Sequence, residues 1–178
     1  IEQRVHPTFV PRGSAIAGVD GVMNAVALET DHVHELLLAG PGAGGPPTAS
    51  SVLSDILDIA RGTKVPPLGV PSAELMPYVE APMRAHEGGY YIRFNAKDVP
   101  GALASIATRM SEHSISIDSV IQRSDLNAKT VAADGSATRT VVMITQQTLE
   151  SSVRETLAQI AADGFIVGEP QVIRIEAL

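Results

Sequence analysis

Apolar residues recur at two different periods along this chain, and each change of period marks a change of element. Tyr90, Ile92, Phe94 and Ala96 alternate with Tyr91, Arg93 and Asn95, which predicts a half-buried strand over 90–96. Past Lys97-Asp98-Val99-Pro100-Gly101 the period lengthens. Leu103, Ile106, Ala107 and Met110 then recur at helical spacing and predict a helix over 101–113. Pro100 suits a first helical turn, where its missing N–H has no acceptor to lose, and Asp98 is expected to accept hydrogen bonds from that turn's amides. Gly101 leaves the helix start uncovered, so a small carboxylate can meet N–H groups there with the helix dipole behind them.

The rest of this half continues the pattern with strands over 115–123 and 138–146, a helix over 149–163 and a strand over 170–177. Val153, Leu157, Ile160 and Ala161 form the apolar stripe of the second helix, with Thr148 expected as its N-cap and Gly164 as its stop. Strand, helix, two strands, helix, strand is the order of a ferredoxin-like α+β fold: a four-stranded antiparallel sheet with both helices on one face. The bare sheet face then needs a partner. Residues 124–137, rich in Asp, Asn, Ala, Gly and Ser, read as a long hairpin loop.

The first half carries a short Pro-interrupted strand over 4–10, suited to a sheet edge, and two denser apolar runs over 21–29 and 35–39. The density of these two predicts strands covered on both faces. The second run enters Gly40-Pro41-Gly42-Ala43-Gly44-Gly45-Pro46-Pro47-Thr48. A helix follows in which Ala49, Val52, Leu53, Ile56, Leu57 and Ala60 share a face, and Arg61 and Gly62 end it. The glycines invite an anion-binding reading. However, the turn is not a dinucleotide fingerprint, since no G-x-G-x-x-G with a following acidic residue is present, and it lacks the Lys-Ser/Thr of a P-loop. On spacing alone, a tight turn that lets strand and helix pack closely explains it better. Pro66, Pro67, Pro71, Pro77 and Pro82 then break any long element between 63 and 87 and mark a connector.

Composition narrows the function. The chain has 178 residues, a net charge of −7 and 3% aromatic residues, which argues against a nucleic-acid surface. No apolar run is long enough to cross a membrane and no signal pattern opens the sequence. With no cysteine there is no disulfide or thiolate chemistry, which agrees with a reducing, cytoplasmic setting. Small-molecule and protein partners remain.

Two motifs then resemble known families. Asp98-Val99-Pro100-Gly101-Ala102-Leu103, followed by His113-Ser114-Ile115-Ser116-Ile117-Asp118-Ser119-Val120-Ile121-Gln122, resembles the ACT domain, an amino-acid-binding regulatory module. Val22-Met23-Asn24-Ala25-Val26, the glycine turn and Leu53-Ser54-Asp55-Ile56-Leu57-Asp58-Ile59-Ala60-Arg61 are similar to the end of the catalytic region of homoserine dehydrogenase. The resemblance divides the chain into a partial α/β segment of the catalytic and dimerisation region (1–62), the connector (63–87) and an ACT domain (88–178).

The same resemblance implies an NAD(P)-dependent oxidoreductase interconverting homoserine and aspartate 4-semialdehyde, in threonine and methionine biosynthesis. It implies contacts to the nicotinamide cofactor at Gly44, with Gly42, Thr48 and Ala49 as companions. It places an amino-acid effector, threonine first, at Asp98, Val99, Gly101, Ala102, Ser116 and Ile117, with chains pairing through their ACT sheets into a homo-oligomer. Other ACT domains often carry Asn where Ser116 stands. The family's cofactor fingerprint and catalytic lysine are not in this sequence. Lys64, Lys97 and Lys129 fall in connector, turn and loop, so the chain is expected to be a C-terminal fragment that does not transfer hydride alone. The alternative is a stand-alone ACT-type amino-acid-binding or dimerisation module.

Weaker constellations add little. His32-x-His34 lacks an evident third metal ligand, and Asp55 and Asp58 lie one turn apart on the polar side of their helix.

Overall fold

The computed structural model describes residues 3–66, 68–79, 86–123, 131–132 and 134–176. They fall into two compact units, one of residues 12–80 and one that joins 2–11 to 81–178. The described residues ahead of Arg12 pack with the second unit, and residues 63–66 and 68–79 cluster with the first.

In the first unit, β2 (Met23–Thr30) and β3 (His34–Pro41) pair antiparallel from Met23 opposite Pro41 to Thr30 opposite His34. The helix α1 (Gly45–Arg61) follows, starting ahead of its expected apolar stripe because Gly44 at φ 127° turns the chain into it and proline suits its first turn. It ends as expected on Gly62, in the left-handed region, with Arg61 in the last turn. The expectation that both strands are covered on both faces is not met. They form an isolated antiparallel pair, and Val26, Leu28, Leu36 and Leu38 are all exposed.

The second unit contains β4 (Glu87–Lys97), α2 (Ala102–Glu112), β5 (Ile117–Arg123), β6 (Thr138–Thr145), a short β7 (Thr148–Leu149), α3 (Glu150–Ala162) and β8 (Ile166–Ile175). The central order is β8-β4-β6-β5 with antiparallel neighbours, the predicted ferredoxin-like arrangement. One strand was not foreseen here: β1 (Thr8–Phe9) extends the sheet, pairing parallel to β8 at its edge. The 4–10 segment is thus an edge strand, but of this sheet.

The core lies where the alternation put it. Tyr90, Ile92, Phe94 and Ala96 of β4 pack with Val141 and Met143 of β6, Ile106 and Met110 of α2, and Val153 and Ile160 of α3. The helical stripes meet expectation in part, with Ile106, Met110, Val153 and Ile160 in the core and Leu157 packed against it. In α2 the buried residues are Ala102, Ile106 and Met110, while Leu103 and Ala107 are exposed. In α3 they are Glu150, Val153, Thr156 and Ile160, with Ala161 exposed. Thr148 does not cap α3. It pairs with Gly88 in β7, and Leu149 stands at the N-cap without a side-chain hydrogen bond. Part of the expected 124–137 loop, residues 124–130 and 133, lies outside the described residues.

Candidate functional site

The turn after β4 is tied down by ion pairs rather than by a helix cap. Asp98 was expected to cap α2, but its carboxylate accepts a 2.8 Å hydrogen bond from Arg139 Nε. Its amide donates to the Ala137 carbonyl at 2.8 Å. Pro100 precedes the helix rather than sitting inside it, and Gly101, at φ 89°, is the N-cap. A Cβ added at Gly101 would meet no atom within 4 Å, so the space over this helix start is open. Lys97 holds Asp134 at 2.8 Å, and Ser136 donates to the same carboxylate. The Lys97 and Ser136 hydrogen bonds drive the Asp134 carboxyl well below its ordinary range. The turn is thus ringed by paired charges and carries uncovered helix amides, a suitable setting for a small zwitterion.

Of the expected effector residues, Asp98, Val99, Gly101 and Ala102 gather here, with Val99 exposed and Ala102 buried under the helix start. Ser116 and Ile117 do not. They begin β5, where Ile117 pairs with Thr145 at the far end of β6, whereas Lys97 pairs with Thr138 at its near end. The strand between those positions spans about 23 Å at the usual rise per residue. Ser116 is exposed, and its carbonyl accepts from the Gln146 amide. One small ligand cannot touch both ends of a single sheet.

In the first unit, Gly44, Thr48 and Ala49 share one shallow, open surface with Gly45, Val52, Leu53 and Ile56. Gly42 stands apart. Its amide donates to the Val22 carbonyl at 2.9 Å, and an added Cβ would fall 2.0 Å from Asn24 Nδ2, so glycine lets the turn lie against β2. Pro46 and Pro47 bring no N–H to the start of α1, and the Thr48 amide is used by the Gly44 carbonyl. Gly44 and Gly45 remain, which fits one or two backbone contacts to a nicotinamide cofactor and does not fit a phosphate cradle.

Sequence reasoning missed a second charged cluster. Glu150, 7% exposed, opens α3 and accepts hydrogen bonds from Arg4 (3.0 Å), Arg154 (2.6 and 2.9 Å) and Arg174. Burial alone would raise its pKa, but the three guanidiniums outweigh that and hold the carboxyl at about 2. Tyr90 beside it is pushed up to about 12, by burial first and by the Glu150 charge second. Only Arg154, four residues on along the helix, was legible as a partner. Lys64 is exposed, Lys97 is paired with Asp134, and Lys129 lies outside the described residues. His32 is exposed beside Asp31, and no group of three or more metal-ligating side chains occurs among the described residues. No helix among them is long and apolar enough to cross a membrane.

The topology of the second unit is ferredoxin-like, and residues 90–162 match the ACT domain in sequence. Residues 1–57 match the family described as homoserine dehydrogenase. The chain is 38% identical to the homoserine dehydrogenase of Neisseria gonorrhoeae and 37% to that of Pseudomonas aeruginosa. These alignments cover 100% and 99% of this chain but 40% and 41% of the relatives. The crystal structure of a homoserine dehydrogenase from Thiobacillus denitrificans superposes with a TM-score of 0.77 at 36% identity, over 98% of this chain and 38% of that one. Along its whole length the chain is similar to homoserine dehydrogenases, and it spans about two fifths of the length of the relatives it matches.

Proposed function

We propose that this chain works as part of an NAD(P)-dependent oxidoreductase that interconverts homoserine and aspartate 4-semialdehyde in the cytoplasm, with an amino-acid-sensing domain at its C-terminal end. Residues 12–62 serve the catalytic region, 63–87 connect and 88–178 sense, with residues 3–11 packed on the sensing unit. The observation that carries the reading is the coexistence, in one chain, of the glycine turn at the head of α1 and the uncovered helix start at Gly101. A nicotinamide cofactor, when bound, would supply the hydride chemistry. This chain's part is to offer the Gly44 backbone, with Gly42 setting the turn and Thr48 and Ala49 on the helix behind it.

At the other site, the Asp98 oxygen that Arg139 does not take suits an effector's ammonium, and the amides of Leu103 and Ala104, beyond the Ala102 amide held by the Val99 carbonyl, suit its carboxylate, with threonine as the first candidate. Ser116 and Ile117, at the opposite end of the sheet, reach such a ligand only from a second copy. This geometry favours a homo-oligomer built by pairing of ACT sheets. Calorimetric titration of the full chain with threonine tests the sensing half: binding that is lost in Asp98→Ala is expected. Absence of binding by threonine and every other amino acid at millimolar concentration would leave the ACT domain as a dimerisation module only.

A further inference from the structure

Residues 3–11 precede the first unit in sequence but belong by contact to the second. Four features hold them there. Thr8 pairs beside Arg174 and Phe9 beside Ile175 in the parallel β1–β8 ladder. The Glu176 amide donates to the Phe9 carbonyl at 2.9 Å. The Phe9 ring tilts against Tyr91 with centroids 5.1 Å apart. Arg4 reaches Glu150 at 3.0 Å, its side chain 17% exposed. Residues 3–7 line one side of a groove whose other side is made by α3 and β8, including Val153, Leu157 and Arg174.

The groove combines a strand edge that takes backbone hydrogen bonds with a buried carboxylate that takes a guanidinium. That is the chemistry of a site for an extended segment carrying arginine. Without its occupant, β8 would present a bare edge. We propose that the β8 edge and the Glu150 carboxylate form a seat for the chain's own residues 3–11, which wall the groove from that side, and that the Arg4–Glu150 contact is the latch that keeps the arm on. The ACT-type unit is then built from two separate stretches of chain. Residues 12–80 are tethered to it at both ends, and release of the arm frees one of them.

The test is residue-resolved amide exchange, by NMR on the full chain, comparing wild type with Arg4→Met and Phe9→Ala. Glu150 keeps Arg154 and Arg174 in Arg4→Met, so the core stays intact. In both variants the amides of residues 4–10 and of Glu176 are expected to exchange about tenfold faster, with β4 and β6 amides unchanged. Unchanged exchange of the arm in both variants would overturn the proposal. So would a loss of protection spread evenly through β4 and β6, which would make Arg4 a contributor to global stability and no latch.

Discussion

Ile92 and Met143, in the second unit, are fully shielded from solvent, whereas Ile56 and Val52, on the apolar face of α1, are each more than half exposed. The same side chains at the same kind of periodic spacing thus end in opposite environments. In the second unit, sheet and helices face one another, and each apolar stripe closes the next. In the first, a strand pair and one helix keep regular backbone structure but bury no described residue from 12 to 79. Local pattern specifies elements; burial needs a second layer, and only one unit contains both.

The largest expected effect sharpens this contrast. Ile92→Ala should destabilise the second unit by about 3 kcal/mol, the cost of a cavity where nothing can collapse. Ile56→Ala should change stability by less than about 0.5 kcal/mol, since its side chain is already half in water and alanine favours helix. Urea unfolding of the two variants measures both, and equal losses would break the comparison.

Acid should act next, and on the second unit. The Glu150 carboxyl sits at about 2 in the folded chain against an ordinary 4.5, and Asp134 and Asp163 are also held low, by Lys97 with Ser136 and by Arg109 respectively. The folded state therefore binds fewer protons than the unfolded one, and the stabilisation is whole above about 4.5 and drains away as pH falls towards 2. Melting curves across that window should show a falling midpoint, less steep in Glu150→Gln. An identical slope in that variant would remove Glu150 from the account.

Smaller effects follow at single positions. Gly101→Ala meets no steric obstacle but forces alanine to φ 89°, and should cost about 1 kcal/mol by thermal denaturation. Arg109→Ala removes the bidentate contact to Asp163 that joins the ends of α2 and α3. Because the pair is open to solvent, the loss should be the smallest of these effects in the same assay, below that of Gly101→Ala.

Much of this was legible in the sequence, for reasons the residues explain. The alternation from Tyr90 to Ala96 gave the buried face of β4 correctly, because a period of two admits only two assignments. Helical stripes were less secure. Ile106 and Met110 are buried as the spacing suggests, but the buried line runs through Ala102, four residues before Ile106, and leaves Leu103 beside it in solvent. Asp98 resembled a cap, yet Arg139, forty-one residues away, competes for its carboxylate. The Glu150 cluster draws on residues 4, 154 and 174, and no local pattern connects positions that far apart. Ser116 and Asp98 share a motif but stand at opposite ends of the sheet, which only strand direction reveals.

The most direct test of the two-unit contrast is peptide-resolved hydrogen exchange on the whole chain at neutral pH. Peptides from β4, β6 and α3 should keep their amide protons for far longer than peptides from β2, β3 and α1. Matching protection across both sets would contradict the account, since it would mean that residues 12–79 possess a core of their own.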